Sequence, residues 1–172
     1  IVGLDNVGKT NFMLWYFLCL SVKHNVKWLI WSGENSAGQL TRDLIQMYSQ
    51  SKLIDLNKSE IQEYNNKIGE WFTFVSNKKM YNHKDLLKLF KESNCDACAI
   101  DPFTGLNHDR KVNQYERNYL ICNDIREFCN TTGKAIYVMT HPMTESARRV
   151  YPPNHEYAGY IQPPRKSDVE GG

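Results

Sequence analysis

The residues with the clearest chemical potential lie near the start of the chain. Residues 3–10 read GLDNVGKT and match G-x-x-x-x-G-K-[ST] at every fixed position. Glycines let the backbone curl so that consecutive N–H groups point at phosphate oxygens, and the N-terminus of a following helix favours the same anion. Lys9 is expected to contact the β- and γ-phosphates, and the Thr10 hydroxyl to coordinate Mg²⁺. The pattern predicts a nucleoside triphosphate site.

The context of this loop supports the same chemistry. An apolar pair, Ile1 and Val2, precedes the loop, and an apolar helical pattern follows it. A purely structural glycine-rich turn is the alternative, and the strand-before, helix-after context disfavours it. The predicted nucleotide-binding residues are Gly3, Asn6, Val7, Gly8, Lys9, Thr10 and Asn11.

Two acidic residues are candidates to complete the site. Asp101 directly follows the apolar run at residues 97–100, where its carboxylate would hold Mg²⁺ through water. Glu34 follows another apolar run and could orient and deprotonate an attacking water. An acidic residue at the start of a helix, favoured there by the helix dipole, is the alternative interpretation of Glu34. The residues alone leave both interpretations of Glu34 open.

Alternating apolar patterns define the elements that must position these side chains. They predict strands over residues 26–31, 71–75, 97–100 and 135–139 and helices over residues 9–22, 37–50, 85–91 and 115–129, with residues 51–70 partly helical. Strand–helix alternation predicts an α/β fold with a mainly parallel sheet and helices on both faces. Ligands of such sheets bind at the carboxyl edge, where Glu34 and Asp101 are expected.

Two of the helices carry a more specific prediction. The helix over residues 9–22 is apolar on nearly every face and is expected to be buried. In the last helix, an apolar stripe at helical spacing is expected to face the core, and Gly133 is expected to end the helix. The members of that stripe are Tyr115, Tyr119, Cys122, Ile125 and Cys129.

Composition excludes few classes of function. The net charge of +2 neither indicates nor excludes nucleic-acid binding. The longest apolar run is too short to span a membrane and no signal peptide is visible, so we expect no membrane partner. An odd number of cysteines, five, indicates reduced thiols in a cytosol-like compartment. Cys95 and Cys98 have the spacing of a metal or redox pair, but without a second pair we favour a structural role.

The loop itself is also similar to that of small Arf-type GTPases. Such proteins need a D-x-x-G switch after a strand and an N-K-x-D motif that binds guanine. The two N-K candidates, at residues 57–60 and 77–80, read NKSE and NKKM and lack the Asp. A GTPase-type switch is therefore disfavoured.

Three further segments resemble DnaB-type replicative helicases. Residues 28–42, WLIWSGENSAGQLTR, resemble the family's strand followed by Ser-x-Glu, Gln-Leu and Arg. Residues 97–106, ACAIDPFTGL, are similar to its Walker B strand and the loop after it. Residues 135–142, AIYVMTHP, are similar to the strand that ends in a γ-phosphate sensor, with the His-Pro of Twinkle-like and some phage members. Residues 168–172, DVEGG, resemble a DNA-facing loop of phage-type members.

This resemblance covers essentially the whole chain and implies a RecA-like P-loop ATPase core. It implies ATP with Mg²⁺ as ligands, Glu34 as catalytic base and His141 as γ-phosphate sensor. It also implies translocation on single-stranded DNA at a replication fork by a homo-hexamer whose neighbouring subunit supplies an arginine finger. No position here matches that arginine, and a primase is left open as a further partner. The location implied is the cytoplasm, that of the host if the protein is phage-encoded.

The resemblance places the DNA-facing loops in residues 141–172. The basic candidates there are Arg148, Arg149, Arg165 and Lys166. Interleaved basic and aromatic side chains suit contact with a single strand, although an ordinary solvated loop is the alternative for each residue. Within the same fold, a RecA- or RadA-type recombinase or a clock-type ATPase, which assembles without unwinding, is the alternative function.

The two ends suggest a piece of a longer protein. The chain begins at Ile1 rather than Met and stops at Gly172 after a polar stretch. We expect residues 1–172 to be a partial ATPase domain, the C-terminal domain of a helicase, lacking most of the strand before the P-loop and the family's final strand. We expect this piece alone to be poorly stable and nearly inactive.

Overall fold

The structure, a computed structural model, describes residues 1–2, 8–107 and 113–140. Strands and helices alternate along these residues as predicted, with boundaries shifted by one to three residues. The elements are α1 (Lys9–His24), β1 (Trp28–Ser32), α2 (Ala37–Ser49), α3 (Lys58–Trp71), β2 (Phe72–Val75), α4 (His83–Glu92), β3 (Ala97–Asp101), α5 (Gln114–Thr132) and β4 (Ala135–Val138), with short 3-10 turns at Leu53–Asp55 and Phe103–Gly105.

The four strands form one parallel sheet in the order β2-β1-β3-β4. Register pairs Ser32 with Asp101, so β1 and β3 end at the same level. Val2 forms a parallel bridge to Thr140 on the other side of β4. β4 therefore lies between β3 and the residues that lead into the P-loop. The predicted α/β class with a parallel sheet is confirmed.

The two sheet faces have separate hydrophobic cores, because successive strand side chains point to opposite faces. Trp28 and Ile30 of β1 pack with α1, α2 and α3 on one face. Leu29 and Trp31 pack with α4 and α5 on the other face. Helices thus cover both faces, as the sequence predicts. The first core is tightly aromatic, since the rings of Phe17 and Trp28 stack with their centroids 3.7 Å apart.

Local sequence explains several of the element boundaries. The Ser36 side chain accepts a hydrogen bond from the Gln39 N–H at 3.2 Å and caps α2. Asn57 and Glu60 form a capping box that begins α3. Gly133 ends α5 with φ 72°, a left-handed conformation that glycine adopts without strain.

The predicted inward stripe of α5 is wrong in its N-terminal half. Tyr115 and Tyr119 are 73% and 67% exposed, and Cys122 is exposed as well. The buried residues of α5 are Ile121 and Phe128. Tyrosine spacing misled the prediction, because a tyrosine ring with its polar hydroxyl tolerates a half-exposed helix face. The C-terminal half agrees better, since Ile125 and Cys129 pack against the second core.

The prediction that α1 is buried on nearly every face is also wrong. One face, which includes Met13 and Phe17, is buried. The opposite face exposes Phe12 and Trp15, each 53% accessible, and Val22. Apolar as it is, neither α1 nor any other helix among the described residues is long and apolar enough to cross a membrane.

Candidate nucleotide-binding site

The first turn of α1 has the geometry that the P-loop motif requires. Gly8 precedes the helix with φ 84° and ψ 23°, in the left-handed region that L side chains rarely adopt. A Cβ at Gly8 would meet nothing within 4 Å, so the requirement is conformational rather than steric. Among the described residues, no side chain caps this end of α1. Such a helix N-terminus favours an anion.

A direct hydrogen bond joins the first turn of α1 to the end of β3. The Thr10 hydroxyl donates to Asp101 Oδ2 at 2.9 Å, across 91 positions of sequence. Asp101 is only 2% exposed. A carboxylate buried this deeply needs hydrogen bonds or a cation to offset lost hydration. The chain therefore invests a costly buried charge at the residue where the motif predicts a metal ligand.

These two side chains fit a bound Mg²⁺. The ion prefers oxygen ligands, and in phosphate sites it takes one or two from the protein and the rest from phosphates and water. A hydroxyl and a carboxylate oxygen 2.9 Å apart lie within reach of one cation and its bound waters. The residues present are thus of the right chemistry and already adjacent.

The turn that carries Glu34 lies at the same edge of the sheet. The Gly33 N–H donates to the Asp101 carbonyl at 2.8 Å, which extends the β1–β3 pairing past the end of the strands. The Asn35 N–H donates to the buried Ser32 hydroxyl at 3.0 Å and closes the turn. Glu34 itself is exposed. Its backbone is therefore fixed beside Asp101 while its side chain remains accessible to water.

The end of β4 lies between the two halves of the site. The Met139 N–H donates to the Ile100 carbonyl at 2.9 Å, and the Thr140 N–H donates to the Ile1 carbonyl at 3.0 Å. The chain thus leaves β4 flanked by the strand that ends in Asp101 and by the residues before the P-loop. His141 is the next residue in sequence and lies outside the described residues.

Solved structures with the same architecture include ATPase domains of helicases. One is the isolated ATPase domain of a DnaB-like helicase, with a TM-score of 0.64 and 13% identity over 86% of this chain and 58% of that chain. Another is a DnaB-like replicative helicase described with its interactions with primase, with a TM-score of 0.67 and 13% identity over 98% of this chain and 42% of that chain.

The chain has a RecA-like ATPase fold. The resemblance to DnaB-like helicases noted in the sequence is thus confirmed at the level of the fold. The chain spans 58% and 42% of the lengths of these two structures. No protein-family model matches the sequence, and no curated protein matches it.

This RecA-like core brings together the predicted site residues that it describes. Thr10 and Asp101 are bonded, and the Glu34 turn is bonded to β3. Sequence reasoning assigned no role to Ser32, whose hydroxyl closes that turn. A Ser-Gly-Glu-Asn run is a turn signal that could have indicated it. The remaining predicted site residues lie outside the described residues: Gly3, Asn6, Val7, His141, Arg148, Arg149, Arg165 and Lys166.

The cysteine pair of the RecA-like core has the environment of a structural element. Burial raises the pKa of the Cys98 thiol to about 12, and burial also raises the pKa of Cys95. A raised thiol pKa lowers the population of the thiolate, the form that binds metals and attacks disulfides. Among the described residues, no group of three or more His, Cys, Asp or Glu side chains could hold a metal ion. These observations favour the structural role.

Proposed function

We propose that the chain is the ATPase motor core of a DnaB-like replicative DNA helicase. The observation that carries the proposal is the hydrogen bond between Thr10 and the buried Asp101, at the sheet edge that also holds the Glu34 turn. The motif residues from three separate segments converge there, in a fold shared with the ATPase domains of helicases.

In this proposal the start of α1 holds the triphosphate of ATP. Gly8 turns the backbone so that the N-terminus of α1 faces the phosphates, and the Lys9 ammonium contacts the β- and γ-phosphates. Thr10 and Asp101 hold Mg²⁺, which neutralises charge on the phosphate oxygens when it is bound. The buried position of Asp101 keeps its carboxylate in one orientation for this task.

Glu34 serves as the general base in this mechanism. Its exposed carboxylate accepts a proton from the attacking water while the turn holds it beside Asp101. His141, which follows β4 in sequence, donates a hydrogen bond to the γ-phosphate and loses it on hydrolysis. The change is passed to the residues after it, in the manner of a switch segment ordered by a γ-phosphate.

The segment 141–172 contacts single-stranded DNA in this proposal. Its basic residues are Arg148, Arg149, Arg165 and Lys166, and phosphate contacts of this kind supply most of the affinity for a single strand. The motor works as a homo-hexamer in which a neighbouring subunit supplies an arginine finger. Since one structural neighbour is a helicase described with primase, we propose primase as a further partner.

A strand-displacement assay tests the proposed function. The full-length protein that contains this chain is incubated with forked DNA and ATP, and separately with GTP. Displacement that requires hydrolysable ATP is the expected result. Tight GTP binding with no effect of ATP would contradict the proposal and favour a GTPase-type switch. Pairing of complementary strands without displacement would favour a recombinase.

Replacing Arg148 and Arg149 together by Ala tests the DNA contact. Each lost phosphate contact reduces the slope of log affinity against log salt by about 0.7 for a single strand, so the double variant should lose about 1.4. The control removes two exposed cations on described helices, Lys91 and Arg126. Equal slopes for the wild type and the Arg148/Arg149 variant would move the DNA contact elsewhere.

A further inference from the structure

One buried side chain lies beneath the turns at the candidate site. Trp31 is 2% exposed and immediately precedes the Ser32–Glu34 turn. A Cβ added to Gly33 would lie 3.1 Å from Cη2 and 3.4 Å from Cζ2 of the Trp31 ring. A Cβ added to Gly105 would lie 3.3 Å from the same Cη2 atom. One ring therefore contacts both the turn that carries Glu34 and the loop that follows Asp101.

The contact explains why both positions hold glycine. Neither Gly33 nor Gly105 has a positive φ, so their backbones would accept a side chain. The obstacle at each position is the Trp31 ring. These glycines therefore allow the two segments to lie directly on the indole, and the ring sets how closely they approach the sheet.

Hydrogen bonding does not account for a tryptophan at this position. Among the residues that the structure describes, the buried indole N–H of Trp31 has no acceptor. A buried donor without a partner is destabilising, and phenylalanine would fill much of the same space without that cost. The atoms that contact the glycines, Cη2 and Cζ2, belong to the outer ring that phenylalanine lacks. The feature specific to tryptophan here is its reach.

Backbone hydrogen bonds link the segments above the ring to all three strand ends. The Gly33 N–H donates to the Asp101 carbonyl at 2.8 Å. The Phe103 N–H donates to the Met139 carbonyl at 2.7 Å, which ties the loop after Asp101 to the end of β4. A shift of the Trp31 ring would therefore be felt at the segments that lead to Glu34, Asp101 and His141.

We propose that Trp31 is a positioning residue, which holds the Glu34 turn and the loop after Asp101 at the separation that hydrolysis requires. It contacts neither nucleotide nor metal and acts through Gly33 and Gly105. The proposal rests on the proposed function, since Glu34 matters to hydrolysis only if the chain is an ATPase.

Steady-state ATP hydrolysis by Trp31→Phe in the full-length protein tests this role. Misplacing a catalytic group by about 1 Å costs up to about 100-fold in rate, so we expect kcat to fall by about 10-fold to 100-fold. KM for ATP should stay at the wild-type value, because Lys9 and Thr10 lie on α1, on the other face of the sheet. A merely structural loss would lower the folded fraction and leave the kcat of folded molecules unchanged.

Trp28→Phe is the matched control. Trp28 is in the same strand and equally buried, but it faces the other core. Its indole donates to the Ser21 hydroxyl at 3.0 Å, so the variant loses a hydrogen bond as well as packing. It should destabilise the protein at least as much as Trp31→Phe while leaving kcat unchanged. Equal kcat values for the two folded variants would overturn the positioning role.

A mutant cycle with Gly33→Ala provides a second test that does not depend on a large deletion. The added methyl should lower kcat in the wild type, where it would crowd the Trp31 ring, and much less in Trp31→Phe, where the contacted atoms are gone. Additive effects would contradict the proposal. If the wild type hydrolyses no ATP, the proposed function fails; if it does and the cycle is additive, only the role of Trp31 fails.

Discussion

The two edges of the sheet use polar groups in different ways. At the amino edge, the Lys27 N–H donates to Asp96 Oδ2 at 2.8 Å, and the Ser21 hydroxyl donates to the Val26 carbonyl at 2.8 Å. Each of these bonds satisfies a main-chain group close to a chain connection. At the carboxyl edge, the hydroxyl of Thr10 and the buried carboxylate of Asp101 bond side chain to side chain across distant segments.

This difference separates stability from chemistry. Closing main-chain groups at the amino edge stabilises the connections and offers nothing to a ligand. A buried carboxylate at the carboxyl edge costs hydration and is expected where it serves a ligand. Variants at the carboxyl edge should therefore lose activity while remaining folded, and variants at the amino edge should lose stability while remaining active.

Lys9→Ala should have the largest effect at the carboxyl edge. Removing the ammonium that contacts the β- and γ-phosphates should abolish ATP binding or turnover, measured by a fluorescent-nucleotide titration and by phosphate release. Lys23→Ala, at the opposite end of the same helix, is the control and should behave as the wild type. ATPase activity unchanged in Lys9→Ala would refute the assignment of the loop.

Ser21→Ala should have the corresponding effect at the amino edge. Ser21 is 1% exposed, and its hydroxyl donates to the Val26 carbonyl and accepts from the Trp28 indole. Leaving a buried donor unsatisfied costs about 1–3 kcal/mol, which urea unfolding would measure. The kcat of the folded protein should not change. A fall in kcat without loss of stability would remove the distinction between the two edges.

The smallest expected effect concerns β3 between the two edges. Since burial raises the pKa of the Cys98 thiol to about 12, Cys98 should resist alkylation at about pH 8, near the ordinary pKa of a thiol. Cys19 and Cys122 are exposed and should react quickly. Mass mapping after a short iodoacetamide pulse measures both. Rapid labelling of Cys98 in the folded protein would restore a redox role as a candidate.

The sequence predicts the elements of the site well, because each carries a local signal. The P-loop pattern needs Gly8 in a left-handed conformation, and the structure has φ 84° there. An apolar run that ends on Asp101 predicts a buried strand with a carboxylate at its end, and that is observed. Strand order is not encoded locally, so the position of β4 beside Val2 could not be predicted from the residues.

Errors arose where side chains are amphipathic or contacts are distant. Tyr115 and Tyr119 repeat at helical spacing but lie outside the core, because tyrosine spacing does not distinguish a buried face from a half-exposed one. Trp31 was predicted only as part of a buried strand. Its contact with Gly105 joins residues far apart in sequence, and no periodicity reports such a contact.

The most direct test of the account is Glu34→Gln in the full-length protein, with ATP binding and hydrolysis measured on the same preparation. The substitution keeps the size of the side chain and removes its ability to accept a proton. ATP affinity should be retained while the rate of hydrolysis falls by at least about 100-fold, the low end for loss of a general base. A hydrolysis rate close to that of the wild type would contradict the account and return Glu34 to the role of an acidic residue at a helix start.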